Sequence, residues 1–104
     1  MQQVCHRSEI AEGKSRGFEI NGLAFFIVNH QGHFYAYQNS CPHLGIELNW
    51  QENQFLDYDG QLIQCATHGA LFLINNGRCV AGPCLDQHLK ALQITLNKDV
   101  IYLI

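Results

Sequence analysis

Two short segments constrain this chain more than anything else in it. Cys41 and His43 flank Pro42, and Cys65 and His68 flank Ala66 and Thr67. Twenty-one residues separate His43 from Cys65, so the fold must bring two distant loops together if the four side chains act as one set. Each loop offers one thiolate and one imidazole. Four soft or borderline donors of this kind describe a metal site made by two fingers closing on one another. Either spacing alone is weak, because a chain with five Cys and six His produces such spacings by chance.

The rest of the composition narrows the setting. At 104 residues the chain has the length of one domain, enough for a core but not for a second active centre. It is 47% apolar and 14% charged with a formal net charge of −3, so no basic surface is offered to phosphates and no nucleic-acid partner is expected. Residues 1–10 hold no apolar stretch of the signal-peptide kind. The longest apolar runs are about five residues, against the roughly twenty that span a bilayer. A cytoplasmic protein without a membrane partner is therefore expected. Cys5, Cys79 and Cys84 would stay reduced there, and an odd cysteine count argues against a secreted disulfide framework.

Turn signals recur between short apolar runs, which predicts an all-β chain. Asn21-Gly22 separates Phe18–Ile20 from Leu23–Val28, and His30-Gln31-Gly32 separates the latter from Phe34–Tyr37. Asp59-Gly60 lies between Gln54–Tyr58 and Gln61–Cys65, and Asn75-Asn76-Gly77 follows Leu71–Ile74. Leu92, Ile94 and Leu96 alternate with polar residues as in one half-buried strand, and Asn97-Lys98-Asp99 turns the chain into Val100–Ile104. Single helical turns are expected at most at Ser8–Glu12 and Pro83–Leu89. The pattern predicts one domain, 1–104, whose first and last strands form a base and whose middle, about 38–74, is an inserted ligand-bearing subdomain.

Context strengthens the paired loops. Leu44-Gly45 follows the first, the second continues His68-Gly69-Ala70-Leu71-Phe72, and Gly82-Pro83 comes later. With these companions the sequence resembles the Rieske [2Fe–2S] ferredoxin family from about Gly17 to Ile104. That family's pattern is Cys-x-His, a spacer, then Cys-x-x-His-Gly; the excursion from Glu47 to Gly60 makes this spacer long. The resemblance implies a Rieske-like antiparallel sandwich or barrel base with an inserted cluster-binding subdomain, and one [2Fe–2S] cluster per chain. It implies that Cys41 and Cys65 hold an inner iron, while His43 and His68 hold an outer iron near solvent. Gly45 and Gly69 would let backbone N–H groups approach the bridging sulfides, where a Cβ would obstruct. Gly82-Pro83 resembles the family's proline loop, which covers the cluster from a third side.

Charge arithmetic explains such a ligand set. A core of two ferric ions and two sulfides carries +2; two thiolates neutralise it, and one electron makes it −1. Four thiolates would start at −2, so the electron would be held less well. Imidazole ligation accordingly raises the potential to roughly −150 to +300 mV, against about −400 mV for all-Cys plant-type clusters. High-potential family members add a disulfide between the loops and hydroxyl donors to the cluster. Ile46, Thr67, Ala70 and Phe72 stand at the matching places here, so a low-potential, soluble type is implied.

The resemblance implies an electron carrier, not a catalyst. Its partners would be a flavin-dependent reductase and a terminal oxygenase or similar redox enzyme, met transiently by a monomer. A Rieske-type small subunit fixed in a larger oxidoreductase, as in nitrite reductases, is the alternative, and a structural Cys₂His₂ zinc module is the third reading. Cys79 and Cys84 read as small buried thiols, Cys5 as a strand residue, and His30 and His33 as solvated flanks of a turn. His6 and His88 have no partner in the sequence. Trp50, Phe55, Leu71 and Phe72 read as packing, and Leu44 as part of a docking surface. Each bound imidazole would retain an ionisable distal N–H, so the midpoint potential should fall with rising pH above the imidazole pKa; a redox titration that stays flat in alkali contradicts histidine ligation.

Overall fold

Ten short strands account for the regular structure of the computed structural model, which describes residues 1–42, 45, 47–49, 51–66 and 69–104. They are β1 (Gln2–His6), β2 (Ser15–Ile20), β3 (Leu23–His30), β4 (His33–Gln38), β5 (Leu62–Gln64), β6 (Leu71–Leu73), β7 (Cys79–Ala81), β8 (Ala91–Leu92), β9 (Ile94–Asn97) and β10 (Val100–Leu103). Three antiparallel sheets result, in the orders β1-β10-β9, β2-β3-β4-β8 and β5-β6-β7. The expected all-β architecture is what forms. The first sheet joins the first strand to the last two, and the third sheet carries the second ligand loop between β5 and β6.

Three tight turns set the registers of the base. Ile20 pairs with Leu23, His30 with His33, and Asn97 with Val100. The residues between them all take positive φ: Asn21 and Gly22 (53° and 82°), Gln31 and Gly32 (54° and 83°), Lys98 and Asp99 (51° and 67°). Such turns match the right-handed twist of the flanking strands.

Elsewhere tertiary context altered the sequence expectations. The run expected as one strand, Leu92 to Leu96, divides at Gln93: β8 pairs with β4 in the second sheet and β9 with β10 in the first. The Gln93 carbonyl instead accepts the Ile104 N–H at 3.0 Å. Asp59-Gly60 does not close a full hairpin, and only a Leu56–Ile63 bridge forms. Backbone bonds from the Asp57 N–H to the Leu62 carbonyl at 2.8 Å and from the Gln64 N–H to the Phe55 carbonyl at 2.9 Å flank that bridge. The Asp57 carboxylate accepts the N–H groups of Gln61 and Leu62 at 3.0 and 3.1 Å and shapes the loop end. No helical turn forms at Pro83–Leu89; Asp86 at φ 70° and the Gln87 N–H to the Cys84 carbonyl shape a non-helical loop. At the N-terminus a 3₁₀ turn, Arg7–Glu9, replaces the turn expected at Ser8–Glu12. His6 has a partner after all: its Nδ1 accepts the Ser8 N–H at 3.1 Å while Glu9 accepts the His6 N–H at 2.9 Å, a reciprocal cap.

Strand β3 is buried on both faces and divides the interior in two. Phe25 and Ile27 join Cys5, Ile10, Ala36 and Ile101 between the first two sheets. Phe26 and Val28 point the other way, into a core that contains Cys41, Leu48, Phe55, Cys65, Phe72, Cys79 and Cys84. There the Phe26 and Phe55 rings stack with centroids 4.4 Å apart. The Tyr37 hydroxyl, from β4, donates to the Ile74 carbonyl just beyond β6, tying base to third sheet. Burial, and secondarily Tyr35, pushes the Tyr37 phenol up to about 12. Tyr37→Phe should cost about 1–3 kcal/mol in denaturant unfolding by orphaning a buried carbonyl. An unfolded phenol ionises near pH 10 and the folded one near about 12, so stability should decline as pH rises between those values, and the variant should lose that slope.

Candidate metal centre

Cys41 and Cys65 begin two loops of the same construction. The Cys41 carbonyl accepts the Gly45 N–H at 2.7 Å, and the Cys65 carbonyl accepts the Gly69 N–H at 2.8 Å. Both glycines are left-handed, at φ 72° and 69°, a conformation that a Cβ penalises. Each loop therefore turns back on its cysteine within four residues. A Cβ at Gly69 would meet no protein atom within 4 Å, and one at Gly45 only Ser40 Oγ at 3.9 Å. Among protein atoms, then, it is backbone conformation and not crowding that asks for glycine at both places. The N–H groups of both glycines are themselves taken by the cysteine carbonyls.

The cysteine side chains are fully buried, each at 0% exposure. His43 and His68, the other two predicted donors, lie outside the described residues, as do Leu44, Ile46, Trp50 and Thr67. Among the described residues no cluster of three His, Cys, Asp or Glu is placed to hold a metal ion. Of the positions where high-potential members carry hydroxyl donors, Ala70 and Phe72 are described, and both are buried at 0%.

Three further contacts hold the loops. The Ala66 N–H donates to the Leu48 carbonyl at 2.7 Å, joining second loop to first. Asn39, at the end of β4, accepts the Leu48 N–H at 2.8 Å and donates to Asn49 Oδ1 at 3.0 Å. Nothing in the sequence singled out Asn39 beyond its place before the first loop. The third contact is Gly82, φ 102°, whose added Cβ would stand 2.8 Å from Ala70 Cα and 3.1 Å from Ala70 Cβ. The proline loop is pressed onto the second ligand loop at a distance that only glycine permits.

The same loop contributes to the core that holds the first cysteine. Cys84, following Pro83, is fully buried there and its thiol donates to Cys79 Sγ at 3.2 Å. Burial, followed by the adjoining Cys79 and Cys41, pushes the Cys84 thiol well above its ordinary range. One cue to this placement was a cysteine directly after Gly82-Pro83. The remaining histidines stand apart: His33 is exposed, and His88 bridges Arg78 through its backbone.

Comparison with known proteins bears on what these loops hold. Residues 1–97 match the Rieske [2Fe-2S] domain. The chain is 36% identical over 80 residues to a cytochrome b6-f complex iron-sulfur subunit of Chlorobaculum thiosulfatiphilum, covering 77% of this chain and 40% of that one. It is 31% identical over 85 residues to the ferredoxin component of an alkene monooxygenase system of Xanthobacter autotrophicus, covering 80% of this chain and 66% of that one. The chain thus spans less than two thirds of either relative. In fold it is similar to the ferredoxin of carbazole 1,9a-dioxygenase from Nocardioides aromaticivorans, with a TM-score of 0.78, 20% identity, and coverage of 99% and 97% of the two chains.

The described residues suit the group this family carries. Two buried thiols, each opening a twin loop, are the soft donors that iron–sulfur chemistry uses, and each precedes a histidine by two or three residues. Among the described residues no helix is long and apolar enough to cross a membrane. By its sequence match over nearly the whole chain, this protein belongs to the Rieske [2Fe-2S] domain family.

Proposed function

We propose that the chain is a one-electron carrier whose [2Fe–2S] cluster is gripped by Cys41 and Cys65 on an inner iron and by His43 and His68 on an outer one. Bound there, the cluster takes up and releases a single electron. The unit that holds it is the inserted segment, about 38–74, with the proline loop laid across it, inside one domain. The observation that carries this reading is the pair of fully buried cysteines opening twin glycine-closed loops in a chain of the Rieske family. The protein's own task is to keep both sulfurs dry and fixed. Backbone hydrogen bonds within and between the loops do that, so little reorganisation is needed when the charge changes.

The electron comes from a flavin-dependent reductase and goes to a terminal oxygenase or a similar redox enzyme, in the cytoplasm, through brief encounters of a monomer. The relative that is the ferredoxin component of a monooxygenase system supports this direction. So does the exposed apolar Leu85, at 58%, beside the buried Cys84 on the proline loop: it suits a small and short-lived contact. A second reading, a Rieske subunit held permanently in a larger oxidoreductase, is favoured by the 36% identity to a subunit of the cytochrome b6-f complex.

Purified anaerobically, the protein should be brown and contain iron and acid-labile sulfide in the ratio of a single [2Fe–2S] cluster. After dithionite it should give an EPR signal with the low average g-value of nitrogen-ligated diiron. Cys65→Ala should abolish both the colour and the signal, whereas His68→Cys should retain a cluster with a lowered potential. A colourless protein containing zinc refutes the proposal. Co-purification at constant stoichiometry with a large oxidoreductase would favour the subunit over the carrier.

A further inference from the structure

His30 and His33 have no part in the four-donor site, yet the fold sets them face to face. They are the cross-strand partners that close the β3-β4 hairpin, with only Gln31 and Gly32 between them. Side chains alternate along a strand, and directly opposed residues share a face of the sheet. The next pair on that face, Val28 with Tyr35, packs against the core, whereas His30 is half-buried and His33 exposed. The two imidazoles thus stand at the open end of a row whose inner members are held.

The backbone beneath the pair is fixed. The Gly13 N–H donates to the Asn29 carbonyl at 2.8 Å, and the Asn29 N–H donates to the Lys14 carbonyl at 3.0 Å. Asn29 itself is buried, and its Nδ2 donates to the Ile10 carbonyl at 2.9 Å. Gln31 and Gly32 sit at φ 54° and 83°, the conformation of a tight two-residue turn. Opposed Cβ atoms in such a pair stand about 4.5–5.5 Å apart. Imidazole nitrogens bind zinc at about 2.0–2.1 Å, so two of them on one ion come within about 3 Å of each other. Rings that lean together across the hairpin span that gap without moving the strands.

We infer that the β3-β4 tip is a metal site separate from the cysteine loops, in which His30 and His33 chelate one divalent transition-metal ion. Water fills the remaining positions of the ion. Imidazole suits Zn²⁺, Ni²⁺ and Cu²⁺, whereas Mg²⁺ and Ca²⁺ call for oxygen ligands. Structural zinc takes four protein ligands, so a site with two is one where the ion exchanges. Distance separates it from the first ligand loop. Asn39, two residues before Cys41, donates its N–H to the Ala24 carbonyl at 2.9 Å near the start of β3. From Ala24 to His30 the strand extends about 20 Å. The hairpin site therefore does not depend on what Cys41 and Cys65 hold.

The test titrates the cluster-loaded full chain with Ni²⁺ and with Zn²⁺. One Ni²⁺ per chain should bind while the visible absorption of the cluster stays unchanged. His30→Gln and His33→Gln should each weaken binding about a hundredfold, the low end of the gain from linking two donors. The double variant should lose no more than either single one, because one imidazole alone no longer chelates. Ni²⁺ should raise the denaturation midpoint of the parent and leave both single variants where they were. In the Zn²⁺-loaded protein the imidazole NMR resonances of His30 and His33 should shift together, while those of His6 and His88 stay. Equal affinity in parent and single variants, or losses that add independently in the double variant, overturns the inference. So does bleaching of the cluster in step with binding, which puts the added metal on the cluster's own ligands. A chain that carries no cluster refutes the carrier reading alone, and the same NMR shifts, present or absent, then decide the hairpin site.

Discussion

The turn closed between each buried cysteine and the glycine four residues later is the constraint on which this structure depends. It uses the cysteine carbonyl, the glycine N–H and a left-handed φ, and it occurs twice. Because the sulfur-bearing residue starts the turn, the loop cannot change shape without moving the sulfur. The bond from Ala66 to Leu48 then makes the two turns neighbours, and contact between Gly82 and Ala70 clamps a third segment over the second. Much of the remaining chain serves to hold these pieces still: Asn39 braces the first loop, Tyr37 fastens the strand that follows the second, and the stacked Phe26 and Phe55 rings pack beside them.

Burial and polarity are balanced with care in this region. The core that receives Phe26 and Val28 from β3 also contains four of the five cysteines, all fully buried. Sulfur is apolar enough to be packed there yet still able to bond iron or donate a weak hydrogen bond. A hydroxyl or carboxylate in the same place would need a stronger partner to offset its desolvation. A chain with little charge and many small thiols can thus assemble a redox centre without a polar cavity.

The sequence was most informative where chemistry or backbone geometry is local. Asn21-Gly22 and Gln31-Gly32 announced their hairpins through residues that tolerate positive φ, and the Cys-x-His and Cys-x-x-His-Gly segments announced the family. It was least informative where distant segments compete. Leu92, Ile94 and Leu96 alternate as a single strand would, but two different sheets recruit the two halves of that run. Asp59-Gly60 looked like the turn of a full hairpin, yet the Asp57 carboxylate takes the Leu62 N–H that would have answered the Asp57 carbonyl, and the pairing stays short. The contact of Cys84 with Cys79 depends on how the loop from Cys79 to Gln87 closes, and no spacing rule contains that. His43 and His68 are proposed as donors from their motifs alone, since both lie outside the described residues.

The division at Gln93 has a further consequence for dynamics. One short stretch of backbone begins in the β2-β3-β4-β8 sheet and ends in the β1-β10-β9 sheet, and its hinge carbonyl holds the last residue of the chain. The two layers of the base are therefore stitched covalently as well as packed, and neither can peel away alone. Separating the layers would disturb both sheets at Gln93, so the amides of the base are expected to exchange slowly, with cheaper local openings expected in the three-residue strands of the β5-β6-β7 sheet. Such a partition gives a rigid platform whose softer element is the sheet that carries Cys65 between β5 and β6.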